Sequence, residues 1–204
     1  MQKLVLIFGT FNPITNGHIR MGILAKERFP ESRIIYVPAK SSFLRGWKGM
    51  EGRLIMDGRT RVRLMKKALT EYGFEVDDIE VATDISGRTY DTIAALKKKY
   101  DTDDICICMG TDKVAELSKW YKGRSLVAEN KYLIISRNKE ELDMSDETVR
   151  EFSDNFVLIE NDEYDNVSAS MVREAFLAGQ LDSIKESIPD AVYRYLKEHK
   201  GIYR

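Results

Sequence analysis

Lys3-Leu4-Val5-Leu6-Ile7-Phe8-Gly9-Thr10-Phe11-Asn12-Pro13-Ile14-Thr15-Asn16-Gly17-His18-Ile19-Arg20-Met21-Gly22 is the stretch whose reading decides the fold. Leu4 to Phe8 is an unbroken apolar run stopped by Gly9, the pattern of a strand buried on both faces in a parallel sheet. Asn12-Pro13 turns the chain, Asn16 is a good N-cap residue, and from Gly17 the apolar residues Ile19, Ile23 and Leu24 recur at helical spacing. A helix is therefore expected over about residues 17 to 28, with His18 in its first turn.

A helix N-terminus offers unpaired N–H groups and the positive end of a dipole, which together attract phosphate. Gly9, Thr10 and Phe11 add backbone donors, the His18 imidazole can donate to a phosphoryl oxygen, and the Thr15 hydroxyl can do the same. Strand, glycine turn and Thr15-Asn16-Gly17-His18 opening a helix resembles the (His/Thr)-x-Gly-His motif of the nucleotidyltransferase superfamily. An ordinary strand-to-helix turn with a solvated histidine is the alternative, and the rest of the chain decides between them.

Arg33 to Val37 reads as a second strand ending at Pro38, which completes a βαβ unit and points to a parallel sheet with helices on its faces. Residues 39 to 60 break the pattern with four glycines among Lys40, Arg45, Lys48, Arg53 and Arg59, around Trp47. That stretch is either a solvated connector or a phosphate-contacting lid. Beyond it a helix is expected from about Thr60 to Tyr72, with Val62, Met65 and Leu69 inward and Arg61, Arg63, Lys66 and Lys67 around the rest. Strands follow over 76–82, 104–109, 131–136 and 156–160, with helices from Asp91 to Tyr100 and from Asp112 to about Trp120 between them. The polar segment 137–155 reads as a surface excursion with a helix start at Asp143-Met144-Ser145. Near the end, Ser168 is a plausible N-cap for a helix with Val172, Ala175 and Phe176 on its apolar stripe, and Pro189 to His199 closes the chain as an amphipathic helix.

Composition narrows the class. The chain has 204 residues, 43% of them hydrophobic, and a formal net charge of −1, so it can bury a substantial core and carries no global charge suited to nucleic acid or an anionic membrane. No run of eighteen apolar residues and no signal-peptide pattern occurs, so a cytoplasmic protein is expected. The two cysteines, Cys106 and Cys108, share one face of a strand and read as buried thiols. With only His18 and His199 besides, no metal site is expected, and His199 reads as a cation at a helix C-terminus.

Val167-Ser168-Ala169-Ser170-Met171-Val172-Arg173 resembles the Ile-Ser-x-Thr-x-Ile-Arg motif with which the superfamily binds the triphosphate of ATP. Thr89-Tyr90-Asp91-Thr92-Ile93, Gly110-Thr111-Asp112 with Ser118-Lys119-Trp120, and the tail from Ile188 to Arg204 resemble the bacterial nicotinate-mononucleotide adenylyltransferase family over the whole chain. The resemblance implies a single nucleotidyltransferase domain over residues 1–204, ending in a helical segment at about 168–200. The implied fold is α/β, a Rossmann-like doubly wound parallel sheet of about six strands.

It implies also the transfer of AMP from ATP to nicotinate mononucleotide, giving the adenine dinucleotide and pyrophosphate, with Mg²⁺ carried by ATP. In that reading His18, Thr15 and Arg173 are catalytic, and Gly9, Thr10, Phe11, Gly17, Gly110, Asp112, Ser168 and Ser170 bind ATP together with His18 and Arg173. Lys40, Arg45, Arg88, Thr89, Trp120 and Tyr121 bind the acceptor, the indole holding a flat pyridinium ring. The chain departs from the family at Thr15, where His is usual, at Gly87 and Arg88 near the pyridine pocket, and at Thr60, which replaces the His of a His-Arg pair. Thr15 favours a phosphopantetheine acceptor as the nearer rival, nicotinamide mononucleotide is another, and a non-catalytic nucleotide-binding regulator is the rival of a different class. Small-molecule substrates are the expected partners, with no nucleic acid, no membrane and a possible homo-oligomer.

Overall fold

The computed structural model describes residues 2–42, 55–137, 141–161 and 167–203. Six strands form one sheet: β1 (Leu4–Gly9), β2 (Arg33–Pro38), β3 (Glu75–Val76), β4 (Ile105–Gly110), β5 (Lys131–Arg137) and β6 (Phe156–Asn161). Their order is β3-β2-β1-β4-β5-β6. Parallel pairing sets Leu4 opposite Ile105, Cys106 opposite Lys131 and Tyr132 opposite Phe156. This is the Rossmann-like doubly wound α/β arrangement, in which the strand order reverses between β1 and β4.

Eight α-helical segments accompany the strands among the described residues: α1 (Asn16–Arg28), α2 (Gly58–Leu69), α3 (Ile79–Ala82), α4 (Thr89–Tyr100), α5 (Gly123–Glu129), α6 (Glu147–Glu151), α7 (Ala169–Leu177) and α8 (Asp190–Glu198). No helix of the described residues is long and apolar enough to cross a membrane.

The chain divides into two compact units. One comprises Met1–Phe8, Met21–Ile35 and Arg88–Tyr164, the other Gly9–Arg20, Tyr36–Gly87 and Asp165–Arg204. In the first, Leu4 to Ile7, Ile105 to Cys108 and Tyr132 to Ile135 are all at most 3% exposed, which is why these strands read as continuous apolar runs. Each such Leu or Ile contributes roughly 1.5–3 kcal/mol by leaving water. Cys106 and Cys108 are buried free thiols here, as their strand position implied. The β6 strand is more exposed, with Leu158 at 40%. In the second unit the core gathers Phe11, Ile14, Tyr36, Met56, Leu64, Met65, Leu69, Val172, Val192, Leu196 and Tyr203.

The structure corrects four local expectations. The strand expected over 76–82 stops at Val76, because the Asp77 carboxylate accepts from Ile79 N–H at 3.0 Å and folds the chain into the single turn of α3. The segment after β4 is a 3₁₀ helix, Thr111–Lys119, and a further helix, α5, follows it where none was expected. Asp143 caps only a local turn at Ser145 N–H, and α6 starts later, with Asp146 accepting from Thr148 and Val149. Finally, α1 begins at Asn16 itself, since His18 N–H and Ile19 N–H both reach the Thr15 carbonyl. Thr15 is therefore the capping residue, and the Asn16 amide instead donates to the Glu186 carbonyl at 2.8 Å.

Candidate active site

The turn leaving β1 has a reason for each residue. Phe11 lies at φ 47°, a left-handed conformation that costs a non-glycine residue roughly 1–2 kcal/mol. Burial of its ring offsets this: the side chain is 2% exposed, with ring edges meeting His18 at 5.1 Å and Tyr36 at 5.7 Å. Gly9 is required beneath it, because a Cβ there would sit 2.8 Å from Phe11 Cζ. Asn12 is fully buried, and its side-chain oxygen accepts from Met56 N–H at 3.0 Å.

His18 lies at the third helical position and reaches back to the cap. Its Nδ1 is 3.1 Å from Thr15 N and 2.8 Å from Thr15 Oγ1. A backbone amide can only donate, so Nδ1 is the lone-pair nitrogen and the ring proton belongs on Nε2. This is the return half of a capping box, with histidine in the place of glutamate, and it presents an N–H donor at the helix N-terminus. Tyr36 Oη donates to the His18 carbonyl at 2.8 Å and steadies the same turn, while Gly17 lies half-buried within it. Thr15, expected to aim its hydroxyl at phosphate, is 2% exposed and turns that hydroxyl onto His18 instead.

The helix start expected at Ser168 forms as its sequence implied. Ser168 Oγ accepts from Met171 N–H at 3.2 Å and caps α7. Arg173 Nη1 donates to the Asn12 carbonyl at 2.8 Å and to the Ala169 carbonyl at 3.1 Å, while Nη2 donates to Ser170 Oγ at 2.9 Å. Two motifs 161 residues apart thus meet directly. Ser168 and Ser170 are exposed, and each hydroxyl oxygen accepts from the chain, which leaves its own proton to donate outward.

Helical spacing places Arg61 among the cations around the outside of its helix, but it is 1% exposed. Its guanidinium donates to the carbonyls of Thr10 at 2.6 Å, Ala39 at 2.7 Å and Met56 at 3.2 Å, and to Ser41 Oγ at 3.2 Å. Burial lowers its pKa to about 10, against the opposing charges of Asp57 and Glu80. Nothing in the spacing of helix residues marks it as buried, since its acceptors come from three other segments. Tyr203 is also buried, with its hydroxyl unpartnered among the described residues, and burial raises its pKa against the charges of Arg173 and Arg61. Lys40, expected at the acceptor, donates from Nζ to the Ile85 carbonyl at 2.6 Å. Arg45 and most of the basic stretch lie outside the described residues.

The other compact unit carries the remaining expected residues. Gly110 closes β4, and Asp112 lies exposed in the next turn, 3.3 Å from Lys113 Nζ. Thr89 opens α4. Just before it, the Arg88 guanidinium lies 4.2 Å from the centre of the Tyr121 ring. Lys122 Nζ lies over Tyr90 at 4.5 Å and Tyr121 at 5.6 Å, and those two rings meet edge to face at 6.5 Å. Trp120 is half-buried, with its indole N–H buried and unpartnered among the described residues. Exposed Arg88, Tyr121 and Lys122 and half-buried Tyr90 thus form a cation–aromatic cluster suited to a flat ring bearing an anionic group. The sequence reading missed Tyr90 and Lys122 as members. Tyr90 stood inside the Thr89-Tyr90-Asp91 stretch already singled out, whereas Lys122 is brought in by a left-handed turn, φ 52°, that no local residue type announces. Among the described residues no group of three or more His, Cys, Asp or Glu side chains is placed to hold a metal ion.

The cytidylyltransferase-like family model matches residues 6–175. The chain is 27% identical over 209 residues to the probable nicotinate-nucleotide adenylyltransferase of Clostridium tetani, with all of both chains covered. It is 28% identical over 208 residues to the protein of that name in Dehalococcoides mccartyi, covering 98% of this chain and 97% of the relative. Among solved structures it resembles the nicotinic acid mononucleotide adenylyltransferase of Plasmodium falciparum complexed with NaAD, at 18% identity and a TM-score of 0.78, covering 100% of this chain and 98% of that one.

Proposed function

We infer the reaction from the premise that this chain belongs to the cytidylyltransferase-like family: it transfers AMP from ATP to nicotinate mononucleotide, giving nicotinate adenine dinucleotide and pyrophosphate, a step of NAD biosynthesis. The observation that carries the reading is the 2.8 Å hydrogen bond from Arg173 to the Asn12 carbonyl, which ties together two helix starts of the kind that attract phosphate. The full-length similarity to proteins named nicotinate-nucleotide adenylyltransferase supplies the acceptor.

The attacking group is a phosphate oxygen, ionised at neutral pH, so the chain needs no general base. Its work is alignment and charge stabilisation at the α-phosphorus. His18 donates from Nε2 to the α-phosphoryl oxygens, and Thr15 holds the ring in that tautomer. Arg173 and the Ser168 and Ser170 hydroxyls hold the departing β and γ phosphates, and the Gly9–Phe11 turn adds backbone donors. Asp112 takes a ribose hydroxyl, and the Arg88, Tyr90, Tyr121 and Lys122 cluster with Thr89 and Trp120 takes the carboxylated pyridine ring. Mg²⁺ enters with ATP as part of the substrate, neutralising phosphate charge.

Pyrophosphate release measured with ATP and each of nicotinate mononucleotide, nicotinamide mononucleotide and phosphopantetheine tests this directly. The acid is expected to be used at least about tenfold more efficiently than the amide, since fixed donors to a carboxylate are worth roughly 1.5–3 kcal/mol each. Parity with the amide refutes the acceptor assignment, and no pyrophosphate with any acceptor refutes transfer.

A further inference from the structure

We propose that Arg61 is a positioning residue of the phosphate site, which fixes the direction of the Thr10–Phe11 peptide so that Phe11 N–H is aimed at the nucleotide before it binds. The proposal rests on the reading of the Gly9–Phe11 turn as a phosphate donor and names what holds that turn.

Arg61 Nη1 grips the Thr10 carbonyl at 2.6 Å. In a trans peptide the C=O and the following N–H point in opposite directions, so a carbonyl held by Arg61 sends Phe11 N–H away from it. The next contact shows the same logic at work. Arg61 Nη2 grips the Ala39 carbonyl, and the amide of that peptide, Lys40 N–H, is taken by the buried Glu80 carboxylate at 3.3 Å.

The clamp is needed because Phe11 is held at φ 47°. A flip of the Thr10–Phe11 peptide would return Phe11 to negative φ and relieve that conformation, but would turn its N–H inward and its neighbour's carbonyl toward the phosphates. A buried donor on the Thr10 carbonyl opposes the flip together with the burial of the Phe11 ring, and a guanidinium can do so while also holding Ala39 and Met56. A neutral amide offers two N–H groups from one nitrogen, and an ammonium lacks the planar spread. The interior thus tolerates a cation that reaches three distant main-chain segments at once.

The test uses Arg61→Lys and Arg61→Gln in the full chain, with three readouts: the dissociation constant of ATP by calorimetry, KM for nicotinate mononucleotide in pyrophosphate release, and the melting temperature. Loss of one N–H to a phosphate oxygen should weaken ATP binding by about tenfold or more and lower turnover at least as much. KM for the mononucleotide should stay within about twofold, because the Arg88–Tyr121 cluster does not depend on the Thr10–Phe11 peptide. Folded variants with ATP affinity and turnover near wild type overturn the proposal. So does an equal loss toward both substrates, which would mark Arg61 as a general stabiliser. ATP affinity judges Arg61 even if nicotinate mononucleotide proves not to be the acceptor, so the two readings fail separately.

Discussion

Replacing His18 by alanine and by asparagine separates the capping role of its ring from the proposed catalytic one. Nδ1 accepts from the buried Thr15 amide at 3.1 Å, while the proton on Nε2 is the one proposed to be offered to the α-phosphate. Alanine removes both. Loss of one donor to the transition state is worth about a hundred- to a thousandfold in turnover, or roughly 2.7–4 kcal/mol. Loss of the cap strands the Thr15 amide, at about 1–3 kcal/mol of stability. For a chain of this size that is a melting temperature lower by roughly 2–4 °C per kcal/mol. Asparagine keeps an acceptor one bond from Cγ, where Nδ1 stands, but cannot reach the Nε2 position. His18→Asn should therefore melt within about 2 °C of wild type, the cap being kept, while its turnover stays about a hundredfold or more below. Pyrophosphate release at saturating substrates and a thermal melt on the same samples give both numbers. Turnover in the asparagine variant within about tenfold of wild type would refute the assignment of the reacting phosphate to Nε2. An alanine variant as stable as wild type would refute the capping role.

Three further outcomes are expected. Arg173→Lys should lower kcat/KM for ATP by about tenfold or more, because one ammonium cannot hold Asn12, Ala169, Ser170 and phosphate together; equal steady-state kinetics in both forms would reduce Arg173 to a helix-surface residue. Gly9→Ala should cost about 1–3 kcal/mol and lower turnover, since the new methyl meets Phe11 Cζ at 2.8 Å and displaces the ring that abuts His18; an unchanged melt and rate would mean the turn yields freely. Burial pushes the Cys106 thiol up to about 11 and raises that of Cys108 further. Because only the thiolate reacts, native protein at pH 8 should resist iodoacetamide at both positions and label at both in denaturant, read by mass spectrometry; rapid native labelling would contradict the buried β4 strand.

The parts of this protein written in neighbouring residues were legible in its sequence. The apolar run Leu4–Phe8, the Ser168 cap and the alternation of strand and helix depend on contacts within a turn or along one strand, so local pattern carried them. His18 was placed in the first turn of α1 for the same reason, although the cap fell on Thr15 rather than Asn16. Where local signals conflicted, the reading failed. Val76 to Ala82 has the composition of a strand, but one buried carboxylate at Asp77 redirects it into a helical turn. Tertiary structure alone decided the rest. It gave Lys122 its left-handed turn beside Tyr121 and joined Arg173 to Asn12 across 161 positions. It also buried Arg61, whose helical neighbours describe a surface cation. A guanidinium leaves water only when enough acceptors converge on it, and the carbonyls of Thr10, Ala39 and Met56 are brought together by the folded chain, not by their order along it.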